Sequence, residues 1–202
     1  MIMKIKTPHW ERVLEMKVWT KGMEKTFITI ISPKKEKGVS TLKKNNEMWN
    51  YFPKVNKVIK VPASMMMGSW MGSDFTNDDL VKEHTYRHDF THKILKKSKS
   101  SYTIELLPKK STVTVWGKIQ LVVDALKFIP IKQDFYNEKG TLIRSIMFSK
   151  IQKINQTYVP LIMPLKSHNK PGNETTIEYK DLKLDVGVSD GVFRMNNLKK
   201  RR

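Results

Sequence analysis

The sequence contains no cysteine, few acidic residues and no long apolar run. Without cysteine the chain can form neither disulfides nor thiolate metal sites. A helix that crosses a bilayer needs about 20 mostly apolar residues, and no stretch approaches that length. From Met1 the chain leads directly into strand-like sequence, without the basic start, apolar run and cleavage site of a signal peptide. A signal peptide is therefore not expected within this sequence.

The shortage of acidic residues leaves 38 basic residues against 19 acidic ones and a formal charge of +19. Such a charge attracts polyanions, so nucleic acid and anionic lipid are both candidate partners. Only six of the basic residues are arginine, which is the side chain that forks onto phosphates and base edges. The charge alone therefore favours no single partner.

Recognisable catalytic motifs are also missing. The chain has no phosphate-binding loop, nucleophile elbow, zinc-protease motif or dinucleotide fingerprint, so we expect neither an enzyme nor a cofactor. His84, His88 and His92 recur at every fourth residue and could bind a metal if they shared a helix face. The surrounding residues favour a strand, where the three side chains would lie too far apart. No metal site is predicted.

Short runs of β-branched and aromatic residues recur between turn signals, which predicts an antiparallel meander rather than alternating strands and helices. One helix is predicted at 76–82, where Thr76 can cap the first turn and Asp78 and Asp79 favour its dipole. A sheet of this many strands curls, and its concave side needs a cover. The predicted strands are 1–6, 12–20, 26–32, 39–42, 48–52, 86–95, 102–108, 113–123, 127–137, 142–153, 159–166 and 175–184, with a hairpin turn at 53–56.

One segment stands out as a candidate cover, and we call residues 65–80 the flap. It begins with three methionines in a row and is interrupted by Gly68 and Gly72. Methionine is flexible and polarizable, so a methionine cluster conforms to irregular apolar partners. Two interpretations are open: the flap is ordinary core filler, or it is a lid over an apolar cavity.

Several segments, in this order along the chain, resemble the LolA-like outer-membrane lipoprotein-sorting proteins. The segments WNYFPK and GSDFTNDDL are the most specific, and the match covers nearly the whole chain. The matching runs are VWTKGMEKTFITIISPKKEKG, LKKNNEMWNYFPKVNKVIKVPASMMMGSWMGSDFTNDDLVKE, ELLPKKST with Trp116, and FYNEKGTLIR with the following FSK.

The resemblance implies a mainly β (α+β) fold: a curved antiparallel sheet that forms an incomplete barrel, with short helices and the flap covering an apolar cavity. Residues 1–202 would form a single LolA-like domain with a basic tail at 198–202. The signal peptide and the first helix that are usual in the family are not apparent. The high charge fits work close to anionic lipid.

In function, the resemblance implies a periplasmic, non-enzymatic carrier of lipid or lipoprotein acyl chains. It would work toward the outer membrane or beside an RND-type lipid exporter. Its partners would be acyl chains, an inner-membrane transporter or exporter, and an anionic membrane surface. The expected cavity lining is Met65, Met66, Met67, Trp70, Met71, Phe75 and Leu80 from the flap, with Trp19, Phe27, Trp49, Tyr51 and Trp116 from the strands.

Two alternatives remain open. A basic β-domain could bind nucleic acid, although the aromatic residues are not interleaved with the lysine clusters as a stacking groove requires, and no RNA-binding motif is present. A domain of the same fold could instead recognise a protein partner as a sensor. A filled core remains the alternative to a ligand-lined cavity for the residues named above.

Overall fold

The computed structural model describes residues 1–82, 86–112 and 114–199. Its main feature is one antiparallel sheet of 14 strands. The strands are β1 (Ile2–Lys6), β2 (Glu11–Lys21), β3 (Lys25–Ser32), β4 (Ser40–Lys44), β5 (Glu47–Phe52), β6 (Lys57–Lys60), β7 (Phe90–Lys97), β8 (Ser101–Pro108), β9 (Lys118–Asp124), β10 (Pro130–Tyr136), β11 (Leu142–Met147), β12 (Ser149–Ile154), β13 (Thr157–Ser167) and β14 (Glu174–Glu178).

At the centre of the sheet β1 pairs with β14. The strands β2 to β6 extend the sheet on the β1 side, and the strands β13 to β7 extend it on the β14 side. Its order is β6-β5-β4-β3-β2-β1-β14-β13-β11-β10-β9-β8-β7, and β12 pairs with β13 outside this path. The sheet is not closed into a barrel, because its path begins at β6 and ends at β7. The predicted mainly β fold with an incomplete barrel is confirmed.

The helices are few and short. They are α1 (Asn77–Lys82), α2 (Tyr86–Asp89) and three 3-10 helices at Ala63–Met65, Asp190–Phe193 and Met195–Lys199. In the described ranges no helix has the length and apolar character needed to span a membrane. The start of α1 is as predicted: the Thr76 hydroxyl accepts from the Asp79 amide (3.2 Å), and the Asp79 carboxylate accepts from the Thr76 amide (2.7 Å). This reciprocal pair is a capping box.

Several predicted strands are wrong in their extent. Within the strand predicted at 113–123, β9 begins only at Lys118; within 127–137, β10 begins at Pro130; and within 175–184, β14 ends at Glu178. The strand predicted at 86–95 begins as helix α2, because Tyr86 and Phe90 meet edge to face at 5.5 Å, and side chains four residues apart meet in this way on a helical turn. The strand predicted at 142–153 is divided into β11 and β12, with Lys150 at a φ of 52°. His88 lies in α2 and His92 in β7, both exposed, and His84 lies outside the described residues.

The two faces of the sheet are covered by different parts of the chain. We call the side that carries the flap the flap face and the other side the back face. Two apolar clusters lie on the flap face. The first is formed by Met3, Ile5, Leu14, Met16, Ile28, Ile30, Met48 and Trp70. The second is formed by Phe90, Leu106, Ile119, Phe135, Ile146 and Leu165.

The back face of β3 to β5 carries a third cluster, which includes Phe27, Leu42 and Tyr51. The C-terminal segment, residues 189–199, covers it by burying Phe193 and Leu198. Leu198, which the sequence analysis assigned to a basic tail, is thus a core residue. Residues 200–202 lie outside the described part of the chain.

Candidate ligand-binding face

The flap is packed closely onto the first cluster. Trp70 is only 2% exposed, and its indole Nε1 donates to Thr41 Oγ1 at 3.2 Å. Met66, Met71 and Leu80 also pack against this cluster. The flap side chains therefore fill the space over β1 to β5.

A buried arginine fixes the far end of the flap. The guanidinium of Arg144, on β11, forms a bidentate ion pair with Asp79, with Nη1 to Oδ2 at 2.7 Å, and Nη1 also donates to the Asp74 carbonyl at 3.3 Å. Its Cζ lies 4.2 Å from the ring centre of Phe135 and 4.6 Å from that of Trp116. Arg144 is 3% exposed. A paired charge in such a dry setting is costly to break by removing one partner.

A carboxylate fixes the middle of the flap. Asp74 accepts hydrogen bonds from Ser167 Oγ and Thr175 Oγ1, each at 2.8 Å. The Asp74 amide in turn donates to Thr175 Oγ1 at 3.0 Å. Because Ser167 and Thr175 lie on β13 and β14, this carboxylate anchors the flap to the centre of the sheet.

Arg12 holds the flap just before Asp74 by donating to the Met71 carbonyl. It also lies 5.1 Å from the Trp10 ring and 3.8 Å from Glu36. Gly72 follows, with a φ of +74° and only 2.8 Å between an added Cβ and the Arg12 guanidinium. A side chain at this position would therefore strain the backbone and displace the anchor.

Sequence analysis missed these polar anchors. It explained Asp74, Asp78 and Asp79 by helix capping rather than by a tertiary contact, and it gave Arg144 no role. One signal was available: Arg144 stands inside a predicted strand, flanked by Ile143 and Ser145, in a chain whose basic residues are mostly lysine. An arginine in a half-buried strand needs a partner, because an unpaired buried charge is unfavourable.

The structure distributes the predicted lining residues over the three clusters, except for Met65 and Met67. Met66, Trp70, Met71 and Leu80 lie with the first cluster, and Phe75 and Trp116 pack against the second. Met65 is exposed and Met67 is half-buried. The remaining four lie on the back face in the third cluster, away from the flap: Trp19, Phe27, Trp49 and Tyr51.

The space beneath the helices is small in this conformation. A cavity of about 10 Å³ lies beside Asp79, Tyr86, Phe90 and Trp116, which is about the space that one water molecule needs. An open groove of about 300 Å³ lies at β1, β2 and β14. Its lining is largely charged: Lys4, Ile5, Lys6, Glu11, Arg12, Val13, Glu174 and Thr176.

Beyond the second cluster, the flap face carries apolar side chains that are not fully covered. Ile94, Ile104 and Leu121 are direct cross-strand neighbours on β7, β8 and β9, and Val123 lies on the same face of β9. We call these four residues the open strip. Ile94 is 59% exposed, and the other three are half-buried. The strip is continuous with the second cluster, against which Ile104 packs.

A buried amide borders the open strip. Gln133, on β10, pairs with Leu121 on one side and with Ile146 on the other. Its side chain is buried, and its Nε2 has no hydrogen-bond acceptor within the described part of the chain. A buried amide without an acceptor is unfavourable, so this group is suited to donate to an incoming carbonyl.

A family model described as "Uncharacterized protein" matches residues 22–200. The chain belongs to this family. None of the curated proteins matches it.

Solved structures share the fold over nearly the whole chain. A DUF1329 family protein from Desulfovibrio piger is 22% identical, with a TM-score of 0.88, and the match covers 98% of this chain and 88% of that one. A domain described as an outer membrane lipoprotein-sorting protein from Vibrio parahaemolyticus is 20% identical, with a TM-score of 0.84, and the match covers 98% of this chain and 90% of that one. A LolA superfamily protein from Nitrosomonas europaea is 23% identical, with a TM-score of 0.79, and the match covers 97% of this chain and 88% of that one. The resemblance to the LolA-like proteins is confirmed at the level of the fold.

Proposed function

We propose that the protein is a periplasmic, non-enzymatic carrier of lipid or lipoprotein acyl chains. The observation that carries the proposal is the open strip, an incompletely covered apolar surface on the flap face of the sheet. The LolA-like fold supports it, because two of the structures that share this fold are described as lipoprotein-sorting or LolA superfamily proteins.

The open strip offers the acyl chain its first contact surface. Full burial of one methylene group contributes about 0.8 kcal/mol, so each methylene that the strip covers on one side contributes roughly half of that before the costs of ordering the chain. The Gln133 amide would donate to the ester or amide carbonyl at the head of the chain. Leu121, directly opposite Gln133 on β9, would contact the first methylenes.

Further entry requires movement of the flap. The cavity beneath the helices is too small for an alkyl chain, and Trp70 fills the space over the first cluster. An acyl chain that extends past the open strip must therefore displace Phe75 from the second cluster or lift Met66 and Trp70 from the first. In this proposal the flap methionines contact the ligand after the flap has moved.

Within the cell, the carrier would take its cargo from an inner-membrane transporter or exporter. It would then release the cargo toward the outer membrane, or work beside an RND-type lipid exporter. No chemical step is required, because transfer to a more apolar acceptor releases the chain. A sensor that recognises a protein partner on the same face is the alternative, and it predicts no bound acyl species.

The test is a titration with a fluorescent long-chain fatty acid. We expect Leu121→Ser to weaken binding about tenfold, because it removes apolar contact from the strip. Val122→Ser is the matched control, because the next residue on β9 faces the back of the sheet. Both variants are first compared with the parent by urea unfolding.

Equal affinity in the two variants would show that the open strip is not the site. Native mass spectrometry of protein purified from an expressing bacterium, followed by lipid extraction, then asks whether any acyl species is retained. If Leu121→Ser does not weaken binding and no acyl species is retained, a filled core or a protein-recognising sensor is favoured.

A further inference from the structure

The turn between β9 and β10 exposes two large apolar side chains to solvent. Leu126 is 82% exposed and Phe128 is 74% exposed, more than any other large apolar residue of the described chain. They flank Lys127, so the tip of this turn reads Leu-Lys-Phe. Single exposed apolar residues are common on protein surfaces, but two projecting from one turn tip form a local apolar surface.

The turn holds these side chains outward in a fixed conformation. The Asp124 Oδ1 accepts from the amides of Leu126 (2.9 Å) and Lys127 (2.8 Å), and its carbonyl accepts from the Phe128 amide at 3.0 Å. These backbone hydrogen bonds, led by that from Lys127, lower the pKa of the Asp124 carboxyl. The acceptor is therefore ionised at neutral pH.

Phe128 occupies a backbone position that disfavours it. Its φ is +54°, a region in which a bulky residue is an outlier and glycine or asparagine is usual. Its side chain gains no core burial in return, because it is exposed. Residues kept in disfavoured conformations are concentrated at functional sites.

Lysines surround the tip. Lys127 Nζ lies 5.4 Å from the Tyr158 ring centre, and Lys153 Nζ lies 5.8 Å from the same ring. The tip of the β7–β8 hairpin is adjacent, because the Ala125 amide donates to the Ser100 carbonyl at 2.9 Å. Lys97 and Lys99 lie at that hairpin tip, close to the β9–β10 turn. None of these four lysines forms an ion pair with a carboxylate of the described residues.

We propose that the β9–β10 turn docks the protein on an anionic lipid bilayer. Leu126 and Phe128 would enter the boundary between headgroups and acyl chains, and the four lysines would contact lipid phosphates. Apolar insertion combined with basic attraction is the usual basis of reversible membrane binding. Tyr158, held between two lysines, has the amphipathic character suited to the headgroup level.

The position of the turn relates this surface to the open strip. Val123 is the last flap-face residue of β9 before the turn, whereas Trp116 and the Arg144 anchor lie at the opposite end of β9 and β10. Docking at the turn would therefore bring the uncovered end of the strip to the bilayer. The docking proposal stands independently of whether the strip binds acyl chains.

The first experiment is vesicle flotation. Vesicles of equal parts phosphatidylcholine and phosphatidylglycerol are compared with vesicles of phosphatidylcholine alone. We expect Leu126→Ser/Phe128→Ser to weaken binding to the mixed vesicles by roughly two orders of magnitude. Val55→Ser is the matched control: Val55 is 60% exposed in the β5–β6 turn, and its replacement should change nothing. Lys127→Gln should weaken binding about fivefold on the mixed vesicles only.

The second experiment uses the absence of cysteine. A single Leu126→Cys or Val55→Cys variant can be labelled uniquely with an environment-sensitive dye. The dye at 126 should shift to the blue on mixed vesicles and be quenched by a lipid-borne quencher, and the dye at 55 should do neither. Unchanged emission at 126 while the protein floats would overturn the proposal and point to another surface. No flotation of the parent protein would also overturn it, and would leave this apolar tip as a contact for a protein partner.

Discussion

The flap and the C-terminal segment cover opposite faces of the same sheet, and they are held there by different interactions. Polar anchors fix the flap at three points, through Arg12, Asp74 and Arg144. The C-terminal segment is fixed by two fully buried apolar side chains, Phe193 and Leu198, with Asp190 pairing at the surface to Lys21 and Lys25.

The kind of attachment affects how the flap and the C-terminal segment can move away from the sheet. An apolar contact weakens gradually as surface becomes exposed, whereas a buried ion pair has no intermediate state of similar energy once its partner has left. A segment held by a few specific pairs can therefore alternate between two positions. A segment held by core packing comes off only when the domain unfolds. The flap combines both kinds of attachment, because its polar anchors accompany the packing of Trp70 in the first cluster, whereas the C-terminal segment depends mainly on the second kind.

The largest effect is expected from breaking the buried ion pair. Arg144→Met leaves Asp79 without its cation and should lower the free energy of unfolding by about 3 kcal/mol. Amide exchange should accelerate in the flap before it does so in the C-terminal segment. Arg12→Met is the matched comparison, because Arg12 also anchors the flap but is more exposed, and it should cost at most about 1 kcal/mol. Equal effects of the two variants would show that burial does not distinguish the anchors.

A somewhat smaller effect is expected from the other cover. Leu198→Ala removes a fully buried side chain and should cost about 2 to 3 kcal/mol by urea unfolding. Here amide exchange should accelerate throughout the domain, because the third cluster is part of the core. Exchange confined to residues 189–199 would contradict this and would make the C-terminal segment as separable as the flap. Val186→Ala, at an exposed position, is the control and should be neutral.

Much of the sheet could be predicted from sequence because the side-chain period of a strand is local. Thr26 to Ser32 and Met48 to Phe52 show their strands through composition and flanking turns alone. The flap was recognised in the same way, from the run of methionines. What the sequence analysis could not assign was the face of each strand aromatic, since a shift of one residue inverts every side chain. Trp19 and Trp49 were therefore placed under the flap, and the structure has them on the back face.

The anchors and the C-terminal cover could not be predicted for another reason. Arg144 and Asp79 are 65 residues apart in the chain, and Asp74 and Thr175 are 101 apart, so no local pattern links them. The segment around Phe193 has neither the period of a strand nor that of a long helix. Its role depends on the apolar hollow that β3 to β5 present to it. Such pairings are determined by tertiary structure, which local propensities do not contain.

The smallest effect should come from the surface part of the C-terminal attachment, and it should depend on pH. Hydrogen bonds from Lys25 and Lys21 lower the pKa of Asp190 from 3.8 to about 2. Because the folded-state pKa is the lower one, the stabilisation is present above pH 3.8 and is lost as the pH falls to about 2. Asp190→Asn should therefore lower stability slightly at neutral pH and converge with the parent protein in acid. Asp185→Asn, which removes an exposed carboxylate with no ion-pair partner in the described ranges, is the control. If the difference between the Asp190 variant and the parent persisted at pH about 2, the attachment would not be electrostatic, and the contrast between the two covers would rest on apolar burial alone.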